Sequence, residues 1–397
     1  MKTIFVGLDV SKDDFKAAVK DDQNNLVMPA MTYKHDRSGL ELLERDISVL
    51  KDQFECGAIF GMEATGIYHL SIYQFLLNTG EHVKVFNGLE LKRFKGRIRK
   101  TKTDNLDAQS IAEALLLARE PSYHPTDRPE LIQLRELCRL RDRLVKKASQ
   151  CKNQAVRNMD VLCRGFVEQF DDIFSPSSTA VLKTTVRTTR LFDIDREGLI
   201  RLLGKFMPDS AAEKKAEKLS TLFQNTVIPE HMKEICIMEL HMLMQQHELL
   251  VQQIKRVERK MEKHVEKLNP HMVSIPGIGT LTASVVLGEL GDLSRFDSIS
   301  QVTAYSGLDP SIMDSGRSHR TGHISKRGSP MLREALYNAA LSAIRVNPVC
   351  RHLYQRLKSK GKHHKVCMVA VARKLLHIAY SVEKNKRDFY VPSYITD

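Results

Sequence analysis

Four carboxylates stand where a folded chain could gather them. Asp9 ends the strand-like run TIFVGLD, and Glu63 ends GAIFGME. Asp104 and Asp107 open a helix-like stretch in KTDNLDAQ, three residues apart and therefore on one helical face. Four carboxylates in one cleft repel one another and need a counter-cation. Oxygen-only donors favour Mg2+ or Mn2+ over zinc. Two such ions about 3.5–4 Å apart activate an attacking oxygen and stabilise a leaving one in phosphoryl transfer. Taken singly, each acid has an ordinary explanation, Asp104 as a helix N-cap and Asp9 as a turn residue after a strand. Their joint placement at two strand ends and one helix start is what points to a site. Just before Asp104 come Lys92, Arg93, Lys95, Arg97, Arg99, Lys100 and Lys102. Such a run is usually a solvated face; beside a metal site it suits a surface that grips a nucleic-acid backbone.

Two C-terminal stretches carry a different chemistry. In SIPGIGT, Ser274–Thr280, Gly277 and Gly279 would let backbone N–H groups approach a phosphate, as in a helix-hairpin-helix turn. An ordinary helix–helix turn is the plainer reading. The segment Leu308–Gly328 (LDPSIMDSGRSHRTGHISKRG) reads as a Gly-punctuated loop, with Ser315 followed by Gly316 and Arg317, and Arg320 and Lys326 nearby. A serine that attacks phosphorus needs exposure, activation and positive charge for the pentavalent state. On chemistry alone Ser315 has little advantage over Ser318, Ser325 or Ser329.

The elements that must position these residues follow from periodicity. Thr3–Asp9, Asp14–Val19 and Leu26–Tyr33 are short β-prone runs separated by turn-like residues, an antiparallel meander. A helix over Gly39–Leu50, a buried strand Gly57–Glu63, a helix from about Ile67 to Leu77, a strand His82–Phe86 and a helix Asn105–Ala118 complete the order of an α/β RNase H-like domain over residues 1–125. In such a sheet the first and fourth strands are neighbours, which would bring Asp9 to Glu63. Residues 126–270 read as a helical linker and oligomerisation region, with the Ser and Thr cluster Ser175–Thr189 as a break. Within it, Ile237, Leu240, Met244, His247, Val251, Ile254, Glu258, Met261, Val265 and Leu268 alternate by three and four, a coiled-coil seam or else a long amphipathic helix packed within the monomer. Residues 271–385 read as a mostly α-helical domain, and 386–397 as a poorly ordered tail.

Composition is compatible with that picture. A formal charge of +13 over 397 residues favours polyanionic partners through counterion release. Seven scattered cysteines, none in a C-x-x-C pair, suggest neither a zinc ribbon nor a disulfide framework and read as reduced, buried thiols. No apolar run approaches the roughly 18 residues of a membrane span. The first residues run straight into a strand instead of a signal peptide, so a cytoplasmic location is expected.

GLDVSK, MEATGIY and KTDNLDA, followed by SIPGIG, AYSGLDP, DSGRS and ISKRGSPMLREALY, resemble the DEDD transposases of bacterial insertion sequences, the bridge-RNA-guided serine recombinases. The resemblance covers roughly residues 1–125 and 270–385; the segment from Ser175 to Pro229 matches nothing in it. It implies that Asp9, Glu63, Asp104 and Asp107 are the metal-binding tetrad of a RuvC-like domain using Mg2+ or Mn2+ as two ions. It further implies that Ser315 is the nucleophile joined to DNA, and that a guide RNA pairs with target and donor DNA. Homodimers or homotetramers, with the serine of one subunit completing the metal site of another, are implied as well. Three other readings compete: a metal-dependent junction-resolving nuclease in which water attacks, a non-catalytic nucleic-acid-binding scaffold, and an actin-like ATPase. The last suits GLDVSK but lacks the Gly-rich adenosine and second phosphate motifs.

Overall fold

The computed structural model describes residues 3–63, 67–86, 91, 104–117, 129–186, 191–293, 296–315, 318–326 and 328–391. The chain divides into two compact units, residues 1–129 with 294–297, and residues 130–293 with 298–397.

In the first unit β1 (Thr3–Val10), β2 (Asp14–Lys20) and β3 (Leu26–Lys34) form the antiparallel meander, and α1 (Arg37–Phe54) follows. Then β4 (Gly57–Glu63) pairs parallel with β1, and after α2 (His69–Asn78), β5 (His82–Phe86) pairs parallel with β4. The sheet order is β3-β2-β1-β4-β5, a mixed five-stranded sheet of the kind the element order predicts. Alternation decides what each face does. Ile4, Val6 and Leu8 pack into one core with Leu40, Leu43 and Ile47 of α1 and Ile72, Tyr73 and Leu76 of α2. On the other face Phe5 and Ile59 pack against Phe86 and against Ile111, Ala114 and Leu115 of α3 (Asp104–Leu117). Helix α1 starts where the Asp36 carboxylate accepts the Gly39 N–H at 2.9 Å, and it stops at Glu55 in a left-handed conformation.

The second unit is almost wholly helical. Helices α4 (Pro129–Leu162), α5 (Pro176–Val186), α6 (Arg196–Leu203), α7 (Asp209–Gln224) and the 39-residue α8 (Glu230–Leu268) enclose a core in which Phe192 stacks on Phe223 at 4.5 Å. They are followed by α9 (Thr280–Leu290), α10 (Ile299–Ser306), the hairpin β6 (Pro310–Ser315) and β7 (Ser318–Ile324), then α11 (Pro330–Val346), α12 (Pro348–Ser359) and α13 (His364–Asn385).

Four expectations change here. Pro176–Val186, within the expected break Ser175–Thr189, is helical, and residues 187–189 lie outside the described residues: Pro176 opens α5, where a missing N–H costs nothing, and the Ser175 hydroxyl accepts the Ser178 N–H at 3.3 Å. The region from Ser306 to Gly328 is not a loop but holds the β6–β7 hairpin. In the α8 seam, Leu240, Met244, Met261 and Val265 are buried within the chain, the first two in one core with Cys151, Ala155 and Met159 of α4. Ion pairs from Arg141 to Glu258 at 2.7 Å and from Glu130 to Lys267 at 3.6 Å tie α4 to α8 along the same length. These four seam residues are therefore covered within the chain. Residues 386–391 are tied down: His271 Nδ1 meets Asp388 at 2.8 Å and the Phe389 N–H donates to the Ser274 hydroxyl at 2.8 Å.

The cysteines are free thiols, six of them buried, and burial pushes the Cys138 and Cys350 thiols up to about 12. Among the described residues no helix is long and apolar enough to cross a membrane.

Candidate functional site

The carboxylate site is built from one sequence pattern used twice. Strand β1 reads Phe5-Val6-Gly7-Leu8-Asp9, and β4 reads Ile59-Phe60-Gly61-Met62-Glu63. The two pair in parallel with Phe5 beside Ile59, Gly7 beside Gly61 and Leu8 beside Met62. Period-two alternation puts Asp9 on the face of Phe5 and Gly7, and Glu63 on the face of Ile59 and Gly61. That is the face covered by α3. Both acids thus stand side by side at the carboxyl ends of adjacent strands, beneath one helix. The doubled apolar-x-Gly-x-acid pattern is a signal legible in the sequence.

The glycines explain how close the helix comes. A Cβ on Gly7 would lie 2.1 Å from the Ala108 carbonyl oxygen and 2.4 Å from the Ala112 nitrogen, so α3 rests its backbone on β1. A Cβ on Gly61 would lie 2.7 Å from the Leu115 side chain. The direction of α3 follows from a second contact. Lys20, cross-strand partner of Phe5, bonds Glu113 at 3.3 Å, whereas Ala108 sits over Gly7. Moving along β1 from Phe5 to Gly7 therefore moves backwards along α3, and one further step brings Asp9 toward the helix's first turns, where Asp104 and Asp107 lie. Asp9, Glu63 and Asp107 are each partly buried. Lys84, cross-strand partner of Gly61, has its ammonium pKa held below the usual range by burial.

These donors are all oxygen, the set that suits Mg2+ or Mn2+. Among the described residues no group of three or more His, Cys, Asp and Glu is gathered tightly enough to hold an ion. The Asp104 side chain lies outside the described residues, as do Lys92, Arg93, Lys95, Arg97, Arg99, Lys100 and Lys102.

In the second unit, the hairpin ladder pairs Met313 with Arg320, Asp314 with His319 and Ser315 with Ser318. Two residues, 316 and 317, follow Ser315 before Ser318 in the sequence and lie outside the described residues. Ser315 is therefore the final strand residue before the tip. The base is anchored firmly. Asp309 receives the Ser325 N–H at 2.9 Å and its hydroxyl at 2.5 Å. The Lys326 N–H donates to the Gly307 carbonyl at 3.2 Å from a left-handed backbone (φ 54°). Arg333 donates through one nitrogen to the Ser306 carbonyl at 3.1 Å and the Gly328 carbonyl at 2.7 Å. These bonds separate the four serines. Ser325 closes the base, Ser329 caps α11 by accepting the Leu332 N–H at 3.2 Å, and Ser315 and Ser318 stand at the tip. Arg317 lies outside the described residues, and Lys326 is exposed.

The two glycines of SIPGIGT have separate roles. Gly277, at φ 101°, lies against α11, where a Cβ would be 2.6 Å from that of Ala343, and the Asn347 amide donates to the Pro276 carbonyl at 3.2 Å. Gly277 is a packing requirement. Gly279 sits at the N-cap of α9 with open space where its Cβ would be.

Two family models match the chain, one described as Transposase over residues 6–163, the other as Transposase IS116/IS110/IS902 family over residues 270–355. The chain belongs to the IS110/IS116 family of transposases. Its relatives include the uncharacterized 44.8 kDa protein of insertion element IS116 from Streptomyces clavuligerus, 24% identical over 97% of this chain and 96% of that one. The 43.6 kDa protein of IS110 from Streptomyces coelicolor is 30% identical over 29% of this chain, and the chain spans 28% of that protein. A pilin gene-inverting protein from Moraxella bovis is 36% identical over 30% of this chain, which spans 37% of it. The first transposase model contains all four carboxylates, and the second contains the SIPGIGT turn and the whole hairpin. Between them, residues 164–269, which include the unmatched segment Ser175–Pro229, lie outside both family models and carry much of the helical core.

Proposed function

We propose that this chain is the DNA transposase of its insertion element, cutting and rejoining strands through Ser315 with divalent metal held by Asp9, Glu63, Asp104 and Asp107. The observation that carries this reading is the paired Gly-x-acid ends of β1 and β4 seated under α3. That frame would let acids from three elements meet at one end of a sheet, an arrangement that suits phosphoryl-transfer chemistry. A pair of Mg2+ or Mn2+ ions would supply activation of an attacking oxygen and offset of phosphate charge. Ser315, at the end of a strand anchored far from its tip, is carried to a phosphodiester. Its Oγ forms a bond to phosphorus, the bond from phosphorus to the leaving strand's oxygen breaks, and the serine proton ends on that oxygen as a hydroxyl. The ester so formed conserves the phosphodiester bond, so a strand hydroxyl can reverse the step without ATP. A relative named for inverting a gene fits this, since inversion needs rejoining as well as cutting. Arg317, Arg320 and Lys326 would offset charge at the phosphate. We assign choice of target and donor DNA to a guide RNA, and the meeting of serine and carboxylates to a homodimer or homotetramer.

The test is a nicked suicide DNA substrate followed by denaturation. A protein–DNA adduct is expected with the wild type and none with Ser315→Ala, while Asp9→Asn loses cleavage and keeps DNA binding. An adduct through Ser318 would overturn the assignment of Ser315. Cleavage without any adduct would make water the nucleophile.

A further inference from the structure

The hairpin of α12 and α13 ends in a basic tip that pairs with no acid among the described residues. No acidic residue occurs between Glu334 and Glu383, a stretch that contains nine Lys and Arg. Five of them, Arg356, Lys358, Lys360, Lys362 and Lys365, fall within ten residues that span the end of α12, the connection and the start of α13. All five are exposed. The acids that bound the stretch on its C-terminal side are engaged elsewhere: Glu383 accepts the Met272 N–H at 2.6 Å, and Asp388 meets His271. Like charges held this densely destabilise the compact state unless something offsets them.

The platform beneath the charge is firm. Val349 and Cys350 of α12 and Cys367, Met368 and Val371 of α13 are buried. The chain reverses between the helices through Gly361 at φ 71°, where a side chain would be strained. Tyr354 and His364 close the tip from either helix, with the hydroxyl and Nδ1 2.9 Å apart. Mobile lysine ammoniums on a rigid knob suit an extended array of phosphates and no single small anion. Four of the five tip charges are lysines, and Arg356 alone carries the fixed fork of donors that reads base edges.

We propose that the α12–α13 tip is a sequence-independent grip on the phosphate backbone of duplex DNA, made of residues other than the four carboxylates and those of the serine hairpin. The inference rests on the reading of the chain as a DNA transposase and adds a contact surface to it. Each lysine that neutralises one phosphate contributes about 0.9 to the slope of log affinity against log salt.

The experiment measures binding of the full-length protein to a labelled duplex of arbitrary sequence by fluorescence anisotropy over a range of salt. Replacing Lys358, Lys360 and Lys362 together with Ala should weaken binding roughly tenfold or more at low salt and flatten the slope by about 2–3. The triple Lys→Arg variant should retain the slope, and circular dichroism melts of both should match the wild type. Ser315→Ala, which tests the chemistry, should bind with the wild-type slope. An unchanged slope in the Ala variant overturns the inference and leaves the transposase reading standing; a wild-type protein without affinity for DNA overturns both. If the Ala variant loses affinity only for a double-stranded RNA competitor, the assignment to DNA is wrong.

Discussion

The carboxylate end and the serine hairpin hold their functional residues by opposite means. Asp9 and Glu63 sit in the body of a five-stranded sheet, and the helix above them touches backbone at Gly7. Nothing there can shift without breaking a ladder or opening a core. Ser315 sits at the far end of two strands that form a sheet of their own, and the fixed bonds are gathered at Ser306, Gly307, Asp309, Ser325 and Gly328. A ligand set of the kind proposed for Asp9 and Glu63 would need the first arrangement, because ion binding tolerates little change in spacing. A nucleophile of the kind proposed for Ser315, which would have to reach a strand and then release it, suits the second.

The largest effect should come from breaking the rigid side of that contrast. Gly7→Val places side-chain atoms where the Ala108 carbonyl and the Ala112 amide stand, and backbone cannot yield as a side chain can. We expect several kcal/mol of lost stability and loss of strand cleavage although every carboxylate is retained. Gly57→Ala, on the same strand as Glu63 with open space at its Cβ, is the control and should leave melting and cleavage unchanged. Cleavage by Gly7→Val at the wild-type rate would mean that α3 does not set the acids.

An intermediate effect should come from loosening the base of the hairpin. Arg333→Met keeps the volume but leaves the Ser306 and Gly328 carbonyls without their shared donor, at about 1–3 kcal/mol. Single-turnover assays should show slower adduct formation with DNA affinity unchanged. Loss of affinity together with rate would mean that Arg333 contacts DNA instead of positioning the hairpin. The smallest effect belongs to Ser329→Ala, which removes the cap of α11. It should cost about 1 kcal/mol in chemical denaturation and leave adduct yield intact, separating a serine that shapes the fold from one that reacts.

The two regions also differed in how far the sequence revealed them. Strands such as Gly57–Glu63 and His82–Phe86 were legible to the residue, because alternation and turn signals agree there. The register that sets Leu8 beside Met62 follows from that order. What alternation could not say was how near α3 would come, since the contact depends on glycines whose absence of a side chain leaves no mark in a hydrophobic pattern. In the C-terminal region, Ser, Gly and Asp between Leu308 and Gly328 obscured the hairpin: its ladder is made by backbone groups, and its tip lies where glycine follows Ser315. Pro176 misled in the opposite direction, because a proline that begins a helix and one that ends it look alike until the capping serine is identified. The α8 stripe lies where the three-four repeat places it, and of the two readings the repeat allows, Leu240, Met244, Met261 and Val265 are covered within the chain. A three-four repeat records that a helix face is covered, not which chain covers it.

The stitch between Asp388 and His271, and between Phe389 and Ser274, returns the end of the described chain to the entrance of the SIPGIGT turn. Residues 271–389 consequently begin and end at one point. A stretch whose two ends meet has the geometry that circular permutation needs: joined at that point and reopened at an exposed turn, it could keep the same packing with a different order of helices.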